Sequence, residues 1–221
     1  MLNSELLAQL RSELSDEELP LLWSDAFLYL YLDDAQTMFT RLTDGIADAS
    51  TAAVCNIAYA PGNVWLALHP SILKIRSVIF LSTGQPVIVM NQEDMSAKGY
   101  RFNGTTGPLN SIVEGMEENR VRTFPIPTDT DTLVLTVFRK PLLASAITLA
   151  NAANPPEIAP EHHINLSLWA KYRAYNKKDA ETYDKFLAEK YETQFRTYCA
   201  AVKLEQQMKR HKVRTVAYGG I

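Results

Sequence analysis

Sulfur and imidazole are scarce in this chain: of 221 residues, two are cysteine and four are histidine. Cys55 lies beside an apolar, strand-like run and Cys199 within an apolar helical stripe. Two thiols so far apart fit buried free cysteines in a reducing compartment better than a disulfide or a metal pair. No uninterrupted apolar run reaches the about 18 residues that a membrane span needs. The opening Met1-Leu2-Asn3-Ser4-Glu5 lacks the basic and apolar regions of a signal peptide, so a soluble cytosolic product without membrane contact is expected. The sequence also lacks a Gly-x-Ser-x-Gly elbow, a Walker-type loop, a dinucleotide fingerprint and a His-Glu-x-x-His helix. Gly104-Thr105-Thr106-Gly107 is followed by Pro108 and not by a lysine, which makes it a turn and not a phosphate loop. Catalytic, cofactor-binding and metal-binding residues are therefore all expected to be absent.

The chain does contain enough apolar material for a real core, 47% of its residues. Its net charge of −3 is unevenly spread. Through residue 150 there are 17 acidic against 10 basic residues, a balance of −7, and from 151 onward 12 basic against 8 acidic, a balance of +4. The basic excess gathers toward the end of the chain.

Hydrophobic periodicity divides the chain into helices, strands and helices again. Leu6, Leu7, Leu10 and Leu14 recur at helical spacing within 4–14, and Ser15-Asp16-Glu17-Glu18 carries a capping-box signal for a further turn. A second helix is expected from Asp25 to Arg41, capped by Ser24, with Phe27, Leu28, Tyr31, Leu32, Ala35 and Phe39 on one face. From 51 to 142 the pattern shifts to short β-rich runs at 52–59, 64–68, 74–81, 86–90, 100–102, 120–126 and 132–138, with Pro, Gly, Asn and Asp turns between them. Helix returns over 161–175 and 182–210, where Tyr183, Leu187, Tyr191, Phe195, Tyr198 and Val202 step by three or four residues. The expected fold class is α+β: a helical bundle from 1–45 and 161–212, an inserted antiparallel β-sandwich or barrel-like domain at 46–160, and an extended tail at 213–221.

The residues that could carry chemistry read as structural. His162 and His163 are adjacent, point apart on a helix and have no ligand partner four residues on. Asp33-Asp34 is expected to be a solvated helix face, and Asp129 with Asp131 a turn. Lys203, Lys209, Arg210, Lys212 and Arg214 could form a nucleic-acid patch, but only Tyr218 supplies an aromatic, and cations suit the negative pole of a helix end. A small DNA-binding or packaging accessory protein using that basic helix is the alternative function. A carbohydrate-active enzyme would need an acid/base carboxylate pair, and none stands out. The last residues, Val213 to Ile221, alternate weakly and are rich in β-formers. If ordered, they need a sheet edge to pair with, and that edge can belong to a partner; the other reading is a tail without fixed structure.

Several segments together resemble a known family. They are Leu22-Trp23-Ser24-Asp25 running into Tyr31-Leu32-Asp33-Asp34-Ala35, the stretch Leu66–Val78 around His69-Pro70, Phe124-Pro125-Ile126-Pro127 with Thr132–Lys140, Lys178–Asp184, and above all Arg214-Thr215-Val216-Ala217-Tyr218-Gly219-Gly220. The chain resembles the head-to-tail adaptors, or portal connectors, of short-tailed bacteriophages. That resemblance implies a structural virion protein and no enzyme. It implies a homododecameric ring between the phage portal protein and the tail nozzle, tube or fibres, at the head-tail interface, with DNA only as passing cargo during ejection. It implies portal docking through Arg214, Thr215, Val216, Ala217, Tyr218, Gly219, Gly220 and Ile221. Phe27, Tyr31, Tyr191, Phe195 and Tyr198 are the candidates for packing between subunits. Two departures stand out: Asp33-Asp34, where an Asn-Glu pair is more usual, and the long irregular stretch Asn91–Asn119.

Overall fold

The computed structural model describes residues 1–97, 99, 104–178 and 182–210. The strand expected at 100–102 and the tail 213–221 lie outside the described residues. In chain order the structure runs α1 (Asn3–Leu14), α2 (Asp25–Leu42), β1 (Ile46–Asp48), α3 (Ala52–Cys55), β2 (Asn56–Tyr59), β3 (Trp65–Ala67), β4 (Ile72–Phe80) and β5 (Pro86–Asn91). It continues with α4 (Gln92–Ala97), β6 (Thr106–Gly107), β7 (Ser111–Glu117), β8 (Arg120–Phe124), β9 (Ile126–Pro127) and β10 (Asp131–Arg139). Three 3-10 turns, Leu143–Ser145, Leu149–Asn151 and Pro160–Asn165, lead into α5 (Leu166–Tyr175) and α6 (Lys185–Arg210). The fold is α+β, as expected. The described residues form two compact units: Met1–Thr43 with those from Leu143 to Arg210, and those of Asp44–Leu142.

In the helical unit α1 buries Leu6, Leu7, Leu10 and Leu14, and the Glu5 carboxylate accepts the Leu2 N–H at 2.8 Å. No further turn follows. Ser15 sits in the left-handed region at φ 55° and closes the helix, and Asp16 is buried, accepting from Leu22 N at 2.7 Å and from Arg11 Nη1 at 2.6 Å. The capping signal at Ser15-Asp16 thus organises a loop. Ser24 caps α2, accepting from Phe27 N at 3.4 Å, and Leu28, Tyr31, Leu32, Ala35 and Phe39 form its buried stripe. α5 packs against both α2 and α6 through Leu166, Trp169, Ala170 and Ala174. From α6, Ala188, Phe195, Cys199 and Val202 are buried. Each large apolar side chain so buried contributes about 1.5–3 kcal/mol.

Residues 143–159, expected at the end of the β-rich domain, belong with the helices. Asp33 accepts the Ile147 N–H at 2.8 Å, Gln36 accepts the Glu157 N–H at 2.7 Å, and Asn3 donates to the Asn151 carbonyl at 2.9 Å. The expected helix at 161–175 is α-helical only from Leu166, because Pro160 opens a tighter 3-10 stretch.

In the β unit the strands follow the order β1-β10-β4-β5-β7-β8-β3, and β2 also pairs with β10. β1 and β2 share one edge of β10, separated by α3. This interrupts the run expected as a single strand at 52–59: Asp48 Oδ1 accepts the N–H groups of Ser50 and Thr51, both at 3.0 Å, and winds the chain into a turn. β3, at the far end of the path, lies beside β2, so the sheet curls back toward its own edge. β10 alternates inward, with Leu133, Leu135 and Val137 fully buried among Val54, Tyr59, Ile75, Val78, Ile112 and Val121. Pairing is antiparallel except at β5–β7 and β6–β9, which are parallel. β7 lies inside the stretch expected to be irregular. A register shift between Val113 and Glu117, with Gly115 at φ 81°, breaks its alternation and hides the strand from a period-two reading. Gly45 is demanded by its place: φ is 87°, and a Cβ there would stand 2.9 Å from the Arg139 carbonyl oxygen.

Candidate interaction surfaces

The groups that sequence patterns single out as possible chemistry are tied into the fold. His162 Nδ1 shares a hydrogen bond with the Tyr198 hydroxyl at 2.8 Å, and burial lowers the His162 pKa. His163 is 1% exposed, with Nε2 2.9 Å from the Ile158 carbonyl. Asp33 and Asp34 are not a solvated face. Beyond holding Ile147, this pair accepts the Trp169 indole N–H at Asp34, 2.7 Å away, and places Asp34 3.5 Å from Arg173. Burial raises the Asp33 pKa, the Ile147 N–H opposes that rise, and Asp34 adds to it. Sequence spacing conceals this, because the partners lie 114 and 135 positions away. Among the described residues no group of three or more His, Cys, Asp or Glu is placed to hold a metal, and no helix is long and apolar enough to cross a membrane.

In the β unit a buried ion pair joins Arg139 Nε to Asp48 Oδ2 at 2.5 Å. Burial alone would raise the Asp48 pKa. The Arg139 guanidinium and the hydrogen bonds from Thr51 and Ser50 outweigh it and hold the carboxyl well below the ordinary carboxylate range. One recess of this unit, about 710 Å³, is lined by Asn91, Gln92, Glu93, Ser96, Glu114 and Gly115; its one hydroxyl among these residues, that of Ser96, donates to the Gln92 carbonyl at 3.1 Å.

The five aromatic residues considered for packing between subunits divide sharply. Phe195 is fully buried 5.2 Å from the Trp169 ring, in the core of its own unit. Tyr31 is buried under Arg173, 5.8 Å from its ring. Tyr191 is half-buried, stacked on Tyr175 at 5.9 Å and covered by the Lys171 ammonium at 4.6 Å. Tyr198 is half-buried between His162 and Phe39. Phe27 differs: it is 44% exposed, with the Lys177 ammonium 4.8 Å from its ring.

Other apolar groups stand further out, and sequence reasoning did not single them out. Beyond Phe27, α2 shows Leu30 at 55% exposure, beside Leu149 at 70%. These two rim a groove of about 290 Å³ with Ala26, Tyr29, Asp33, Ile147 and Thr148. On α6 the buried stripe stops at Val202. The following turns expose Leu204 (54%) and Met208 (65%), four residues apart on one face. In the basic cluster, Lys209 pairs with Glu205 at 2.7 Å on the exposed face of α6. Lys212 and the segment Arg214 to Ile221, expected to dock on the portal, lie outside the described residues.

Comparison with known proteins adds one match: a family model described as SU10 adaptor protein covers residues 2–217. No curated protein matches the chain.

Proposed function

This chain belongs to the SU10 adaptor protein family of bacteriophage structural proteins, and from that membership we propose that it forms a ring joining the portal to the tail, with DNA passing through the lumen. The family match over nearly the whole chain carries this reading. The surface chemistry is consistent with it. A joint needs apolar area that a lone subunit leaves uncovered, and the helical unit has such area at Phe27, Leu30 and Leu149 and again at Leu204 and Met208. In this reading the outer turns of α6 lead toward the terminal segment 214–221, which docks on the portal and orders on contact, so the partner's presence sets the order of assembly. The β unit then faces the tail. The protein acts by binding and catalyses nothing.

Mass measurement of the purified chain, alone and mixed with a portal ring, tests the proposal. The expected result is a uniform ring, a dodecamer, in complex with the portal. Deleting residues 213–221 is expected to abolish the complex, and Tyr218→Ala or Arg214→Ala to weaken it at least tenfold. Full portal binding by the truncated chain refutes docking through the tail. Tight, steeply salt-dependent binding to free DNA would favour a packaging factor instead.

A further inference from the structure

The β unit holds another recess, of about 270 Å³. Three segments build it: the β4–β5 hairpin supplies Ser82, Thr83 and Gln85, the segment before β7 supplies Pro108 and Leu109, and the loop into β10 with that strand's first residue supplies Asp129 and Asp131. Its wall is Tyr59 and Phe80, whose rings lie 6.5 Å apart at 60°. Local bonds fix the rim. Gly84 N–H donates to the Phe80 carbonyl at 2.9 Å, Leu81 N–H to the Thr132 carbonyl at 2.8 Å, and the Ser82 hydroxyl to Asp131.

Two observations point to an absent guest. Tyr59 is 2% exposed, and its hydroxyl is buried without a hydrogen-bond partner. Folds normally satisfy such a group, because removing it from water unpaired is costly. The second observation is charge: Asp129 and Asp131 line the recess, and among the described residues that line it none is Lys, Arg or His. The phenol feels both acids. Burial raises its pKa, Asp129 and Asp131 raise it further, and together they bring it to about 12.

The shape narrows the guest. A small-molecule cleft usually spans about 300–1,000 Å³, so this recess suits one side chain better than a whole ligand. A divalent cation would want oxygen on all sides, whereas Phe80, Pro108 and Leu109 make one wall apolar. A group with an aliphatic stem and a cationic head matches both halves.

We propose that this recess is a socket for a single lysine or arginine side chain of another polypeptide, with the stem against Phe80, Pro108 and Leu109 and the cationic head between Asp129, Asp131 and the Tyr59 hydroxyl. The hydroxyl oxygen accepts an N–H from the guest. The aromatic wall adds a cation–π contribution. The inference concerns the β unit alone and does not depend on ring formation.

Titration of the isotope-labelled full chain with Nα-acetyl-arginine methylamide and Nα-acetyl-lysine methylamide, followed by amide chemical shifts, tests the socket. Matched titrations use the uncharged citrulline analogue, sodium chloride and calcium chloride. The expected result is weak, saturable binding of one or both cationic probes, seen at residues 82–85 and 129–131 and absent with citrulline. Asp129→Asn, which leaves the Ser82–Asp131 bond in place, should weaken binding about tenfold. Tyr59→Phe should weaken it about threefold to tenfold while leaving the thermal midpoint unchanged or higher, because the unsatisfied group is gone. Equal response to citrulline overturns the proposal. So does saturation by calcium with no response to either cationic probe, or full binding by both variants.

Discussion

The two units solve opposite problems with charge. The β unit hides an ion pair, Asp48–Arg139, inside a sheet whose strand β10 is buried along alternate positions. The helical unit spreads its acids along its seams: Asp16 closes the loop after α1, Asp33 pins Ile147, and Asp34 holds Trp169. The buried pair concentrates charge at one place, where losing either partner strands the other. The distributed carboxylates make the bundle's stability a sum of smaller contributions, and they let short irregular segments stand in for helices.

The sharpest way to break this contrast is Arg139→Ala. Stranding Asp48 in the interior should cost about 3–5 kcal/mol in chemical denaturation, with hydrogen exchange accelerated in β10 and little changed in α5. The loss is also pH-dependent. The Asp48 pKa is lowered in the fold, so its contribution is present at neutral pH and disappears as pH falls from about 4, the unfolded value, toward its depressed folded value. The difference between wild type and Arg139→Ala should therefore shrink in acid, and a constant difference down to the onset of acid unfolding would contradict the assignment. Asp16→Ala should cost less, about 1.5–3 kcal/mol, with faster exchange confined to the loop between α1 and α2. Smallest is the paired change Leu204→Ser and Met208→Ser. It should alter subunit stability by no more than about 0.5 kcal/mol, measured by thermal unfolding, yet reduce self-association in sedimentation. Unchanged association would remove this face from the joint.

Much of the architecture could be read from spacing. The Ser24 cap and the Leu28–Phe39 stripe of α2 are local features, and so are the leucines of α1 and the alternation of β10; each shows in sequence because its physics spans only a few residues. What escaped was set by distant partners or by broken periods. Asp33 and Asp34 look like a wet helix face until Ile147 and Trp169 are folded onto them. The bulge at Gly115 erased the strand signal of β7. The start of α6 is a finer case: it begins three residues later than expected because Asp184 caps it, accepting from Leu187 N at 3.0 Å. Of the candidate packing aromatics, only Phe27 retains a large free area. The others were legible as a stripe, but a stripe does not say which surface it covers.

The two cysteines carry a practical consequence. Both thiols are free and buried, and burial pushes the Cys199 thiol up to about 12 and raises that of Cys55. Neither offers an appreciable thiolate at neutral pH. A cysteine placed at exposed Met208 would thus accept a fluorophore or spin label selectively in the native background, turning the outer end of α6 into a distance reporter without first stripping the protein of its own sulfur.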